Sequence, residues 1–260
     1  MQTVLFHSTI FGPIHSRRLG SSLGINLMPD DGKICSFDCI YCEAGYNAQG
    51  HGTTGLPARA QVAAMLEQKL GTMKTEGTPL DVITFSGNGE PTLHPEFEGV
   101  IDDTIALRDR YFPNVKISVL SNATRLGSES VCRALARVDN NILKLDSTVP
   151  STVALLDRPV DPSFDIGEVI DRIATFGSNA IVQTMLTRGT HEGITVDNTT
   201  DAEIDALIEA YGRIKPREIM LYTIDRPTPE ISLKRVSREE LAAAGARITR
   251  RTGIPVQISG

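Results

Sequence analysis

What most limits the fold of this 260-residue chain is an end-to-end alternation of short apolar runs with longer amphipathic stretches, unbroken by any low-complexity linker. The apolar runs at 23–27, 81–86, 116–121, 142–146, 180–186 and 218–223 read as strands, with a short terminal one at 255–258. Helical patterns fill the gaps at 58–74, 95–110, 128–137, 165–176, 201–214 and 237–252. In the first of these, Val62, Met65, Leu66 and Leu70 recur at helical spacing, and Asp201 is placed to cap the fifth. Strand–helix alternation of this kind predicts a parallel sheet covered by helices. Six βα units permit either an open doubly wound sheet or a curved partial barrel. In both, function gathers at the C-terminal strand ends. The informative residues fall there: a cysteine segment after the first strand, GNGEP after the second, Ser121-Asn122 after the third, Asp146 after the fourth and Asp225-Arg226 after the sixth.

Composition narrows the partners. The net charge of −6 and pI near 5.4 supply no overall field for a phosphate backbone, so nucleic acid is not favoured. Four cysteines, three of them within eight residues, do not make a secreted disulfide framework and suit a reducing compartment. The N-terminus has no signal-peptide pattern, and no run approaches the roughly 20 apolar residues of a membrane helix. The expectation is a soluble cytoplasmic protein with no membrane partner.

The segment CSFDCIYC places Cys35, Cys39 and Cys42 at C-x3-C-x2-C spacing, short enough to wrap one metal centre but lacking a local fourth ligand. Thiolates hold zinc or iron–sulfur clusters, and structural zinc closes on four protein ligands. Zinc completed by His51 or Cys132 is therefore one reading, and an open-sided cluster is the other. Cys132 lies in SVCRALARV, a helical apolar setting that suits a small buried hydrophobe.

The C-x3-C-x-aromatic-C pattern, with Tyr41 as its aromatic, resembles the signature of the radical S-adenosylmethionine (SAM) superfamily, and GNGEP resembles that superfamily's Gly-Gly-Glu-Pro segment, departing from it at Asn88. The resemblance spans roughly residues 23–223. It implies that Cys35, Cys39 and Cys42 bind three irons of a [4Fe-4S] cluster while the amino and carboxylate groups of SAM chelate the fourth. Reduction then breaks the C5′–S bond, and the 5′-deoxyadenosyl radical abstracts hydrogen from a substrate. The implied fold is a partial (β/α)6, TIM-like barrel in one domain over 1–260, with a core at about 22–224, an irregular N-terminal arm (1–21) and a C-terminal extension (225–260).

The resemblance also distributes cofactor contacts. Gly87, Asn88, Gly89 and Glu90 would receive the amino group, since glycines allow close backbone approach and a carboxylate accepts from an ammonium. Tyr41 would lie beside adenine, Lys144 toward the carboxylate and Asp146 toward the ribose, with Ser121, Asn122 and Gln183 completing the pocket. Lys144 and Asp146, at i and i+2, share a face and equally suit an internal ion pair. No residue is assigned to substrate chemistry. His15, Arg17 and Arg18 form either an anion clamp or a solvated arm. Tyr222, Asp225 and Arg226 suit substrate contact, or for Asp225-Arg226 a loop ion pair. The sequence looks closest to small single-cluster members loosely grouped with tRNA wyosine-type Fe-S oxidoreductases, and the lack of further cysteines argues against subfamilies with auxiliary clusters. A reductant protein such as flavodoxin or ferredoxin is implied. The expected substrate is a small molecule or nucleoside; the alternatives are an activase that installs a glycyl radical in a partner protein and a non-enzymatic metal-binding module.

Overall fold

The computed structural model describes residues 4–16 and 19–260. Seven parallel strands follow the alternation closely: β2 (Gly20–Ile25), β3 (Val82–Phe85), β4 (Lys116–Ser121), β5 (Asn140–Lys144), β6 (Ala180–Met185), β9 (Glu218–Tyr222) and β11 (Val256–Ser259). They pair in that order, and β1 (Ile10–Ser16) adds antiparallel to β2, so the eight-stranded sheet ends at β1 on one side and β11 on the other. The sheet is an open, curled half-barrel of the TIM-like type, not a closed barrel.

Helices α1 (Arg59–Glu76), α2 (Phe97–Tyr111), α3 (Glu129–Leu135), α5 (Ile166–Ala174), α6 (Asp201–Ile214) and α7 (Arg238–Thr252) connect or follow the strands, and a short α4 (Pro150–Leu156) lies between β5 and α5. α1 buries Val62, Leu66, Leu70 and Met73 in one stripe. Each fully buried Leu stabilises by about 1.5–3 kcal/mol. The stripe packs in one core with Leu23, Ile25, Ile83, Phe85, Ile117, Val119, Leu143, Val182, Ile219 and Leu221 from the outer face of the sheet. Because side chains alternate along a strand, the intervening residues line the concave face. There Ser22 meets Thr84 at 2.8 Å, Asn140 donates to Ser118 at 2.9 Å, and Ile142, Ile181 and Met220 form a small apolar floor. The same alternation puts Lys144, Gln183 and Tyr222 on the concave side, near the C-terminal strand ends.

Several expectations change. The arm is not irregular throughout, because β1 occupies most of it. Its register pairs His15 with Ser21 and Ser16 with Gly20, at the start of β2 and so at the opposite end from the cysteine segment. His15 therefore does not belong to a clamp at the mouth, and Arg17 and Arg18 lie outside the described residues. Thr200, not Asp201, caps α6, accepting from the Glu203 amide at 3.3 Å. Between β6 and β11 the chain inserts a three-stranded sheet of β7 (Thr187–His191), β8 (Ile194–Asp197) and β10 (Lys234–Arg235). The β7–β8 hairpin turns at Glu192-Gly193, both at positive φ. Its only sequence signal is that pair between Thr- and Ile-rich flanks. Among the described residues no helix is long and apolar enough to cross a membrane.

At α7, Ser237 and Glu240 form a reciprocal capping box. Ser237→Ala is expected to cost about 1 kcal/mol, lowering the melting temperature by about 2–4 °C, measured by thermal unfolding.

Candidate cofactor site

The cysteine segment leaves the C-terminal end of β2 as an irregular loop, closed by its own polar side chains. Asp31 accepts from the amides and hydroxyls of Thr53 and Thr54, and these bonds hold its carboxyl well below the usual range. The Lys33 amide donates to Gly50 O at 3.0 Å. Asn47 donates its side-chain amide to the carbonyls of Cys35 and Phe37 and its backbone N–H to Asp38 at 2.6 Å. Cys35, Cys39 and Cys42 are free thiols of intermediate exposure.

Two long-range seams fix this loop. On one side Ile34 bridges Gly89 in parallel: the Ile34 amide donates to Asn88 O at 3.1 Å and the Glu90 amide donates to Ile34 O at 3.0 Å. Gly89, at φ +146°, is required here, since a Cβ would stand 1.8 Å from Ile34 O. On the other side Phe37 bridges Pro159, while the Ile40 amide donates to the carbonyl of Leu156, the last residue of α4, and the Asp38 amide to those of Asp157 and Arg158 just beyond it.

Glu90 and the end of β4 form one polar knot. Glu90 is 2% exposed; its Oε1 accepts from Thr92 N at 3.1 Å, Thr92 Oγ1 at 2.5 Å and Ser121 Oγ at 2.9 Å, and its Oε2 accepts from Asn122 N at 2.7 Å. Burial pushes its pKa up, against the pull of these donors. Asn122 reaches on to the thiols, with Nδ2 at 3.7 Å from Cys35 Sγ and 2.9 Å from Ser36 Oγ. Asn88 behaves differently from the expectation. Its side chain turns away from the thiols, accepting from Phe6 N at 2.8 Å and donating to Phe6 O at 2.9 Å and Pro29 O at 2.8 Å. Only its backbone carbonyl faces the cysteine segment.

A second knot joins Tyr41, Lys144, Asp146 and Asp157. Lys144 Nζ donates to Tyr41 Oη and Asp146 Oδ2, and to Asp157 Oδ1 at 2.7 Å; Tyr41 Oη also donates to Asp146. The Cys39 thiol lies 3.8 Å from Asp157 Oδ1. Burial favours neutral Lys144, but Asp146 and Asp157 overcome it and hold the ammonium charged well above its usual range. Burial pushes Asp157 up to about 7 although Lys144 pulls it down. Both sequence readings of Lys144 and Asp146 survive at this point, since they are an ion pair and also border the thiols. Asp146 stands past the end of β5, where it accepts from the Met185 amide at 2.8 Å. Asp157 was missed, because nothing local marks it in LLDRPV. Gln183 is buried on β6, level with Lys144.

The inserted sheet leans on the same loop. Glu230 Oε1 accepts from Tyr46 Oη at 2.7 Å and contacts His191 Nδ1 at 2.9 Å, and Arg226 pairs with Glu43 at 2.7 Å. Asp225 pairs with Arg235 at 3.2 Å, so Asp225 and Arg226 do not form the mutual pair open in the sequence. Tyr222 ends β9 beside Met185. Cys132 is not near a shared centre: it packs on the helix-side core and its thiol donates to Leu126 O at 3.2 Å. Among the described residues no three His, Cys, Asp or Glu side chains converge on a single ion-sized site, and His51 is exposed.

Residues 31–210 match the family model described as the radical SAM superfamily. The chain belongs to that superfamily. The class works with SAM and an iron–sulfur cluster, so this protein is an enzyme of radical SAM type. A UPF0026 protein from Helicobacter pylori strain J99 is 28% identical over 236 residues, spanning 89% of this chain and 71% of that protein. One from Synechocystis sp. is 30% identical over 228 residues, spanning 85% and 77%. Among solved structures, Streptococcus suis SuiB bound to S-adenosylmethionine superposes with a TM-score of 0.64 at 15% identity, covering 91% of this chain and 50% of SuiB. The chain thus spans about half the length of SuiB, and the likeness concerns the fold.

Gly89→Ala is expected to break both bonds between Ile34 and the GNGEP turn, destabilising the metal-free protein by roughly 2–4 kcal/mol from two hydrogen bonds and backbone strain. Denaturant unfolding checks this; an unchanged midpoint would show that the seam does not hold the loop.

Proposed function

We propose that Cys35, Cys39 and Cys42 hold a [4Fe-4S] cluster through three of its irons, leaving the fourth to the amino and carboxylate groups of SAM, and that the substrate is a small molecule or nucleoside. The supporting observation is a loop with three free thiols pinned by its backbone to the GNGEP turn at the end of the neighbouring strand. No fourth thiol is available to close the set, since Cys132 is committed to Leu126. That also leaves no cysteines in this chain for an auxiliary cluster, which supports a substrate other than the peptides of auxiliary-cluster subfamilies. When bound, the two cofactors supply one-electron cleavage of SAM to methionine and a 5′-deoxyadenosyl radical that abstracts hydrogen.

The chain's own residues prepare the site. Burial pushes the Cys35 thiol up to about 12, with Glu90 adding to the effect, and also raises Cys39 well above its usual range. Cys35 and Cys39 are therefore held as neutral thiols in the metal-free protein, and ligation through either displaces a proton. Asn122 donates toward Cys35 Sγ, the kind of hydrogen bond that orients a ligand sulfur and tunes its metal. Three donors fill Glu90 Oε1, but Oε2 takes only Asn122 N, which leaves a lone pair for the SAM ammonium. Lys144 would face the SAM carboxylate by exchanging one of the three partners, Tyr41, Asp146 and Asp157, that fill its donors here. Tyr41 has its hydroxyl engaged and Lys144 Nζ 4.7 Å from its ring centroid, which leaves the other ring face for adenine. Ser121 acts by holding Glu90, and Asn88 by its backbone. A small electron-transfer protein such as flavodoxin or ferredoxin delivers the electron.

Replacing Cys35, Cys39 or Cys42 by Ala is expected to abolish cluster assembly, whereas Cys132→Ala keeps about four irons per chain. Iron and sulfide analysis after anaerobic reconstitution decides this; full iron in any of the first three variants sinks the assignment.

Glu90→Gln is expected to raise the SAM concentration for half-saturation about tenfold, since a charge-assisted bond becomes a neutral one, with iron content retained. Anaerobic binding titration and release of 5′-deoxyadenosine with dithionite read the effect. Unchanged affinity removes Glu90 from the SAM site, and loss of the cluster assigns it a purely structural role.

A further inference from the structure

Lys33, two residues before Cys35, is 1% exposed. Its ammonium has three donors, yet it makes one hydrogen bond among the described residues, to Gly45 O at 2.6 Å. The nearest carboxylate oxygen, Asp38 Oδ1, stands 3.8 Å away, beyond hydrogen-bond reach, and already accepts from the Asn47 amide at 2.6 Å. The other oxygen of Asp38 faces Arg158 at 3.8 Å. A buried cation compensated this weakly is costly unless another negative charge stands close by.

The loop around Lys33 is where such a charge would arise. Gly45, which receives the ammonium, hydrogen-bonds through its amide to Cys42 O at 2.9 Å, so Nζ is tied to the turn that carries one thiol and belongs to the segment that carries another. An oxidised [4Fe-4S] centre with three thiolates is already anionic, and uptake of one electron adds a further negative charge. A fixed cation in a water-poor site stabilises the more negative state more.

We propose that the Lys33 ammonium is the built-in counter-charge of the cluster and raises its reduction potential; this rests on the cluster assignment made above. Lys144 does not fill this role, because its charge is already met by Asp146 and Asp157.

The test uses the full chain, reconstituted anaerobically without SAM, with iron content measured and the one-electron midpoint potential read by titration with dithionite as electron donor. Lys33→Gln and Lys33→Met remove the charge, and Lys33→Arg keeps it. The neutral variants are expected to lower the equilibrium constant for reduction about tenfold, which is 59 mV for one electron, while Lys33→Arg stays near the unmodified protein. Fully loaded neutral variants with an unmoved potential overturn the proposal, as does an equal fall in Lys33→Arg. If the neutral variants take up no iron, uptake by Lys33→Arg supports the need for charge. Failure of Lys33→Arg as well makes the residue a packing element and overturns the proposal. Unmodified protein that forms no cluster would sink the underlying assignment; a loaded protein with unmoved variants sinks only the role of Lys33.

Discussion

The short parallel bridge between Ile34 and Gly89 is the contact on which the site's organisation rests. It sets the cysteine loop beside the end of β3 at backbone distance, which no side-chain contact between flexible loops would fix as tightly. From there the geometry propagates by hydrogen bonds. Glu90, next to the bridge, collects Ser121 and the Asn122 amide from the end of β4, and the Asn122 side chain returns to Cys35. Three chain segments far apart in sequence thus close a ring. The requirement for glycine at position 89 is steric, and the tolerance for asparagine at 88 has an equally local cause. That side chain is saturated by Phe6 and Pro29, so the position that departs from the superfamily pattern ties the N-terminal segment to the turn.

A second organising force is charge held out of water. Lys144, Asp146 and Asp157 are buried together, with the Tyr41 hydroxyl between them and the Cys39 thiol at their edge. Buried ion clusters of this kind contribute little net stability, because desolvation consumes most of the Coulomb gain. They do fix orientation. Here the fixed group is a cation on the concave face, held by Asp146 and by Asp157, whose carboxylate borders the Cys39 thiol. Across the loop, the inserted sheet braces the far end of the cysteine segment through Tyr46, Glu230 and His191. The segment is thereby held from three sides.

The strands and helices of the half-barrel were legible because each buries one periodic face. Seven strands and six helices stand within a few residues of their expected positions, since the helix-facing side of each strand and the apolar stripe of each helix write a periodic pattern that needs no tertiary context. Elements that bury little left no such trace. β1 is interrupted by Gly12-Pro13, α4 buries only Val153 and Leu156, and the β7–β8–β10 sheet is short and largely polar.

The sequence by itself determined the βα alternation, the three-thiol loop and the Gly-rich turn that follows it, because each is encoded by neighbours within one segment, while the alternation alone left an open sheet and a half-barrel both standing. Only the tertiary structure decided which end of the sheet His15 faces, that Asn88 looks away from the thiols and that Asp157 joins Lys144 and Cys39. Those outcomes depend on strand register and on contacts between residues as much as 118 positions apart, as for Cys39 and Asp157. Such contacts are set by the packing of whole elements, which no local pattern of residues records.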